Sequence, residues 1–217
     1  MSNFSNFNSL MKQSWSGVAV LSIFYIVIVV ALSLMSPWFF SFNNAMNIGI
    51  NMSYIGLMAA AGTPLIIAGG LDLSVAAVAG LTGVLITIFF GWIDNVWLAV
   101  MLSIFVGAFI GAFNGFLATV LKFNPLIATL GTMSIVTGFS LVLTGGLTKS
   151  MMLPEFNYIG VGRIFNVPIP LIIMLVVMFL LWILMSKTKF GRFLYASGNN
   201  PDASLLLGVP VVKVQFY

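Results

Sequence analysis

Residues that could carry acid–base or metal chemistry are scarce in this sequence. It has four acidic and eight basic residues, and neither histidine nor cysteine occurs. Histidine is the commonest general base and metal ligand, and cysteine supplies thiolate ligands and nucleophiles, so most catalytic and metal sites are excluded. The acidic residues lie far apart in the sequence, at Asp72, Asp94, Glu155 and Asp202. We therefore predict no enzyme active site, no metal site and no cofactor.

One of these carboxylates has unusual neighbours. Asp72 follows a glycine pair, Gly69 and Gly70, within the otherwise apolar stretch AGGLDLSVAAVAG. A charge at mid-depth in a bilayer costs about 3 kcal/mol or more unless it is paired or hydrated. What Asp72 can do thus depends on where the surrounding elements place it.

The composition indicates that those elements cross a membrane. Of the 217 residues, 61% are hydrophobic and 6% are charged, and the mean hydropathy is +1.16. So few charged residues could not cover the surface of a water-soluble domain. The net charge of +4 comes from dispersed basic residues, which do not form the basic face that nucleic acid binding needs. We predict membrane lipid as the surroundings and no nucleic acid partner.

Six apolar runs without charged residues are each long enough to cross a bilayer. About 20 residues of helix span a hydrocarbon core of roughly 30 Å, and the runs lack the alternation of a β-barrel. We predict an all-α, polytopic transmembrane helix bundle that forms a single domain over residues 1–217. Its spans are residues 18–35, 45–68, 73–91, 96–121, 125–146 and 167–186.

The basic residues predict the orientation of these spans. With a cytoplasmic N-terminus, most Lys and Arg residues lie inside, as the positive-inside rule requires. The inside residues are Lys12, Lys122, Lys187, Lys189, Arg192 and Lys213, and the outside residues are Lys149 and Arg163. Residues 147–166 then form an external loop, which is either a docking surface for an external partner or a solvated connector.

Span lengths place Asp72 close to a turn. Residues 48–91 would extend about 66 Å as one helix, which is two membrane crossings, so the chain must reverse near Gly69 and Gly70. Glycine adopts positive φ without steric cost. Asp72 or Ser74 can then accept hydrogen bonds from the first amides of the next helix. We favour a cap at the cytoplasmic interface, and the alternative is a helix break inside the bilayer.

The fourth run carries small residues on one helical face. Gly107, Gly111 and Gly115 recur every four residues, which lets a neighbouring helix approach closely. We predict that these glycines pack against another span. Asn114, beside them, can form a hydrogen bond across helices or line a path.

The cytoplasmic segment 187–213 predicts a short helix over about 200–207. Asn200 is a good N-cap, Pro201 suits the first helical position, Asp202 suits the first turn, and Gly208 favours a stop. Two helical turns are unstable alone in water, so this helix must pack against another surface. It is either a membrane-surface helix or a docking element for a cytoplasmic partner.

Five blocks of sequence occur in an order that is typical of one family. They are SPWFFSFNNAMNI, GTPLIIAGGLDLSV, NPLIATLGTMSIVTG, GVGRIFNVPIP and TKFGRFLYASGNNPDASLLLGV. Together they resemble the permease subunit of bacterial ABC importers for simple sugars, the ribose, xylose, arabinose and galactoside group. They look closest to ribose-type permeases and cover most of the chain from Ser36 onward.

That resemblance implies transport. A permease homodimer or heterodimer would lie in the bacterial inner membrane, with an ABC ATPase subunit below it and a periplasmic sugar-binding protein above it. The sequence contains no G-x-x-x-x-G-K-[ST] phosphate loop, so another chain would hydrolyse the ATP. The family has about ten spans, and we therefore expect this chain to be truncated at its C-terminus.

The resemblance also implies that the predicted short helix couples the permease to the ATPase. Asn199 stands where the family more often has glycine, the leucines at 205–207 stand where it has charged residues, and Ala76 stands where it usually has glycine. The residues expected to take part in coupling are Gly198, Asn199, Asn200, Asp202, Ala203, Leu206 and Gly208.

An uncharged sugar needs only hydroxyl, amide and aromatic groups along its path. Two other hypotheses stay open: a stand-alone secondary transporter, suggested by the glycine-broken helix pair around Asp72, and a non-productive fragment or membrane scaffold. The candidates for the substrate path are Asn51, Ser53, Asn114, Thr129 and Thr132.

Overall fold

A computed structural model describes residues 2–151 and 153–216. The chain divides into two compact units, Met1–Gly49 and Ile50–Tyr217.

The first unit consists of α1, Ser2–Met35, and the first turns of α2, Phe42–Ile67. The apolar part of α1, Gly17–Met35, buries none of its side chains, which suits a helix surrounded by lipid. In the first turn of α2, the Asn44 amide donates to Ser41 Oγ at 3.2 Å. That bond satisfies one of the backbone donors that every helix N-terminus leaves without an internal partner.

The second unit contains the rest of α2, four further long helices, a short hairpin and small helices. The helices α3, α4 and α5 alternate in direction, because each follows its predecessor through a short connection. The bounds are α3, Val75–Ile93; α4, Val96–Thr119; α5, Pro125–Thr144; α6, Pro154–Val161; β1, Arg163–Ile164; β2, Val167–Pro168; α7, Ile169–Lys187; α8, Lys189–Asn199; α9, Pro201–Leu206; and α10, Val211–Phe216.

Six helices among the described residues are long and apolar enough to cross a membrane. They coincide with the six predicted runs to within a few residues at each end. The prediction of a polytopic all-α protein is therefore confirmed. The cytoplasmic location of the N-terminus stays a prediction.

The helices α3, α4 and α5 pack as a group. Leu81 and Leu85 of α3 are buried with Val136 of α5, and Val106 and Ile110 of α4 pack against them. In lipid this contact is favoured by close van der Waals packing more than by the removal of water. Because the helices alternate in direction, the start of α3, the end of α4 and the start of α5 meet at one end of the group.

The segment after α7 folds back onto the ends of the spans. Leu194 of α8 and Val214 of α10 are buried together with Ala68 at the end of α2, and Phe190 packs against them. The sequence analysis predicted one short helix in this segment and did not predict α8. The apolar positions Phe190 and Leu194, four residues apart, are the signal for it.

The predicted external loop 147–166 contains regular structure. It includes α6 and leads into a hairpin in which Arg163 pairs with Pro168 and Ile164 pairs with Val167. At its tip, Phe165 and Asn166 have φ of 49° and 66°, as a two-residue type I′ turn requires. The Phe165 side chain is 97% exposed.

Candidate functional site

The turn after α2 is built on the predicted glycine pair. Gly69 has φ of +84°, and its amide donates to Ile66 O at 3.0 Å while the Gly70 amide donates to Leu65 O at 2.9 Å. These two bonds form a Schellman motif, in which a left-handed residue ends the helix. A Cβ at Gly70 would lie 2.6 Å from Leu65 Cδ1, the end of a flexible side chain, so the requirement for glycine in this turn rests on Gly69.

Asp72 organises the residues between that turn and α3. Its Oδ1 accepts from the Ser74 amide at 2.7 Å and from Ser74 Oγ at 2.6 Å. An aspartate that binds the amide two residues later forms an Asx turn. The carboxylate thus fixes Ser74, which is 0% exposed.

The capping prediction needs one correction. Ser74 occupies the N-cap position of α3, but its side chain makes no capping hydrogen bond, and Asp72 binds the Ser74 amide rather than an amide inside the helix. The physical reason is that Ser74 Oγ already has two partners outside its own helix. It donates to Asp72 and accepts from Asn114 Nδ2 at 2.9 Å.

Asn114 extends these contacts across two more helices. It is 4% exposed, and its Oδ1 accepts from Thr132 Oγ1 of α5 at 2.6 Å. Four side chains from three helix regions therefore form one continuous series of hydrogen bonds, which we call the polar chain: Asp72, Ser74, Asn114 and Thr132. Hydrogen bonds between buried side chains of different helices fix the packing of a membrane bundle.

Thr129 lies one turn before Thr132 on α5. It is 2% exposed, and its hydroxyl donates to Pro125 O of its own helix at 2.7 Å. Thr129 is therefore satisfied locally and stands beside the polar chain. Asn124 caps the same helix by accepting from the Leu126 amide at 2.9 Å.

A cavity of about 750 Å³ lies beside the polar chain. This volume is within the range of small-molecule sites. Asp72, Asn114 and Thr129 contribute to its wall, together with small residues such as Gly69 and Gly111. Among the described residues that line it, Asp72 is the only charged one.

Two of the predicted path residues lie elsewhere. Asn51 is exposed and Ser53 is fully buried, both on α2, whereas the part of α2 that lines the cavity begins at Ala61. Ten residues of helix separate Asn51 from Ala61, which is about 15 Å. The structure brings Asn114, Thr129 and Thr132 together and leaves Asn51 and Ser53 apart from them.

The three glycines of α4 have different neighbours. A Cβ at Gly107 would lie 3.0 Å from Thr82 Cγ2 of α3, so the two helices pack closely at this glycine. A Cβ at Gly115 would be in ordinary contact with Phe216, at 3.4 Å. At Gly111, a Cβ would meet no atom of the described residues within 4 Å, because this glycine faces the cavity. Within this chain, the predicted close packing is found at Gly107 and not at Gly111.

The short helix predicted within residues 187–213 is present as α9. Asn200 Oδ1 accepts from the Ala203 amide at 3.0 Å, which makes Asn200 the N-cap, and Gly208 has φ of +81° after the helix. Asp202, Ala203 and the neighbouring Asn199 are exposed. Leu206 and Leu207 are 91% and 84% exposed, so α9 presents apolar side chains away from the described part of the chain.

Gly198 lies in a different setting from the other predicted coupling residues. A Cβ at this position would overlap Ile67 O and would lie 2.9 Å from the Ile67 carbonyl carbon. Gly198 therefore brings α8 into backbone contact with the end of α2. This contact could not be predicted from a local pattern, since Gly198 and Ile67 are far apart in the sequence.

The sequence matches a protein family described as "Branched-chain amino acid transport system / permease component" over residues 44–217. Similar proteins are named as sugar permeases. The chain is 41% identical over 198 residues to the ribose import permease protein of Bacillus subtilis, and this match covers 90% of the chain and 61% of that protein. It is 35% identical over 201 residues to the L-arabinose transport system permease protein of Escherichia coli, covering 93% and 61%.

A more distant relative is the xylose/arabinose import permease protein of Sulfolobus acidocaldarius, with 30% identity over 184 residues, covering 82% of the chain and 51% of that protein. The chain thus spans about 61% of the length of the bacterial relatives. No solved structure matches it.

Proposed function

The chain belongs to the branched-chain amino acid transport system permease family, and from that premise we propose that it is the permease subunit of an ATP-driven importer for a monosaccharide. Its six spans and its family make it a multi-pass protein of the inner (plasma) membrane. The permease conducts the substrate, and a separate subunit hydrolyses ATP.

The observation that carries the proposal is the cavity beside the polar chain. Its wall offers the amide of Asn114, the hydroxyl of Thr129 and the carboxylate of Asp72 among small residues. Such groups form hydrogen bonds with the hydroxyls of an uncharged sugar. A site of this kind needs no metal and no basic residue to bind its substrate.

The substrate class follows from this chemistry and from the relatives. A branched-chain amino acid carries an ammonium and a carboxylate, and the described cavity wall has no basic residue to pair with that carboxylate. The relatives described above are named for ribose, arabinose and xylose. We therefore assign a monosaccharide, with pentoses as the first substrates to test.

Coupling to ATP hydrolysis is assigned to α9. The helix is too short to be stable alone. It is capped by Asn200, its Ser204 is buried, and the helices on either side of it contribute Leu194 and Val214 to one buried core. Its exposed leucines, Leu206 and Leu207, are available to a groove on another protein. An ABC ATPase subunit at this surface places the cytoplasm on the side of α9 and agrees with an inside N-terminus.

The sugar-binding protein and the second permease copy are assigned to other surfaces of the chain. A sugar-binding protein would deliver substrate to the opposite side, where α6 and the hairpin lie. A second permease copy, identical or different, would complete the translocation path between the two subunits. From outside to inside, the proposed importer thus consists of the binding protein, the pair of permeases and the ATPase.

The proposal is tested by uptake into proteoliposomes. The chain is reconstituted with the ATPase and the binding protein encoded by its neighbouring genes. Accumulation of labelled D-ribose, L-arabinose and D-xylose is then measured with and without enclosed ATP. We expect one of these pentoses to accumulate only with ATP, and an ATPase variant unable to hydrolyse ATP is the control. Accumulation of L-leucine instead, or pentose uptake that does not need ATP, would contradict the proposal.

A further inference from the structure

The helix α8 comes into backbone contact with the end of α2. A Cβ at Gly198 of α8 would overlap Ile67 O, and it would also lie 3.3 Å from the carbonyl carbon of Ala68. Both of the atoms it would meet first belong to the backbone, which cannot move aside as a flexible side chain can. Only glycine allows α8 to lie where it does.

A second cytoplasmic helix binds the same turn of α2. Gln215 of α10 donates from Nε2 to Ala68 O at 3.0 Å. A helix C-terminus leaves carbonyl groups without partners inside the helix. Here the glycine turn satisfies Leu65 O and Ile66 O, while Ala68 O is satisfied by α10.

The contact surface around Gly198 is closely packed. Leu194 and Ser197 of α8 are 2% and 0% exposed, and Leu194 is buried in one cluster with Ala68. A close-packed surface of this kind transmits displacement instead of absorbing it. The end of α2 and the body of α8 therefore move as one piece.

The residues that follow this surface connect it to the cavity. Gly69 and Gly70 come directly after Ala68, and Asp72 begins the polar chain that reaches Asn114. Gly69, Gly70 and Asp72 also line the cavity. Because only a few residues separate Ala68 from the cavity wall, a shift of α8 also moves that wall.

We infer that Gly198 and Gln215 are positioning residues that hold α8 and α10 on the last carbonyl groups of α2, so that displacement of α9 moves the Gly69–Asp72 turn. This inference rests on the proposed coupling to an ATPase. It differs from a role of Gly198 in contacting the ATPase directly, since the residue faces α2.

Two variants separate this role from simple packing. Gly198→Ala forces α8 away from α2, and Gln215→Leu removes the donor while keeping a side chain of similar size. Gly80→Ala is the matched control, because a Cβ at this helical glycine would meet no described atom within 4 Å. If Gly198→Ala does not fold, Gln215→Leu decides the question.

The first readout is hydrogen exchange of the turn in lipid nanodiscs. The amides of Gly69, Gly70 and Ser74 are hydrogen-bonded and exchange slowly while the turn is held. We expect them to exchange about tenfold faster or more in both variants, with no change in the control. This readout needs neither ATP nor a partner.

The second readout is the coupling itself. We expect both variants to retain the ATPase during purification but to lose most ATP-dependent uptake. Exchange and uptake equal to those of the wild type in both variants would overturn the inference. If the wild type itself retains no ATPase, the proposed function fails. The hydrogen-exchange readout still tests the contact of α8 with α2 in that case, and exchange of the turn at the wild-type rate in both variants would overturn it.

Discussion

Asn114 of α4 donates a hydrogen bond to Ser74 Oγ at the start of α3, 40 residues earlier in the chain and 2.9 Å away. The same side chain accepts from Thr132 of α5 at 2.6 Å. One amide therefore joins three helices, because it can donate and accept at the same time. The start of α3 is held in place by this amide and by Asp72, and not by a capping bond within its own helix.

Replacing this amide should loosen the helix group. Asn114→Ala removes two interhelical bonds and leaves Ser74 and Thr132 with fewer partners, so we expect a loss of about 1–3 kcal/mol in the free energy of unfolding. Denaturant titration in detergent micelles measures it. Ser103→Ala in the same helix is the control, since the Ser103 hydroxyl binds only Ala99 O of its own helix. Equal losses in the two variants would contradict the account.

The two buried threonines of α5 should behave differently. Thr132→Val removes a bond to another helix, whereas Thr129→Val removes a bond to Pro125 O within α5. In a double-mutant cycle with Asn114→Ala, we expect a coupling energy of about 0.6–1.7 kcal/mol for Thr132 and close to zero for Thr129. A coupling energy that is the same for both threonines would show that the polar chain is not a specific unit.

The glycine turn should resist a side chain at one position. Gly69 has φ of +84°, and we expect Gly69→Ala to lower the free energy of unfolding by about 1–2 kcal/mol because an L residue is strained there. Gly138→Ala in the α5 helix has open space around the new Cβ and should be neutral or slightly stabilising. Thermal unfolding of the two variants in the same detergent compares them, and a Gly69 variant as stable as the Gly138 variant would count against the strained turn.

Asp72 distinguishes an ATP-driven importer from a secondary transporter. Both of its hydrogen bonds use Oδ1 as the acceptor, and asparagine keeps that oxygen. We therefore expect Asp72→Asn to fold and to retain most ATP-dependent uptake, with Asp72→Ala as the variant that loses both bonds. Uptake driven by a proton gradient without ATP, and abolished by Asp72→Asn, would instead support a secondary transporter that uses the carboxylate.

Local features of this fold follow from the sequence. Span positions depend on length and hydropathy alone, and the Asn200 cap and the Gly69 turn depend on residue types within a few positions. Each of these was predicted and is present. Such signals act over one or two helical turns, where the chain itself brings the residues together.

The joining of Asp72 and Ser74 with Asn114 and Thr132 could not be predicted. Lipid is as apolar as a helix interface, so hydropathy does not mark which face of a span meets a neighbour. Phe105 and Phe109 of α4 are 71% and 67% exposed, although they are more apolar than its buried residues, Ala99, Ser103 and Asn114. For the same reason the glycine periodicity of α4 did not indicate that Gly111 faces a cavity.

The measurement that tests the central claim most directly is capture of the ATPase through α9. The chain, purified from cells that also express its ATPase, is compared with Leu206→Glu/Leu207→Glu and with Phe165→Ser, which changes an equally exposed side chain at the hairpin tip. We expect the wild type and Phe165→Ser to retain the ATPase. The amount of ATPase that co-purifies with the double variant should be lower by about tenfold or more. Retention by the double variant equal to that of the wild type would contradict coupling through α9.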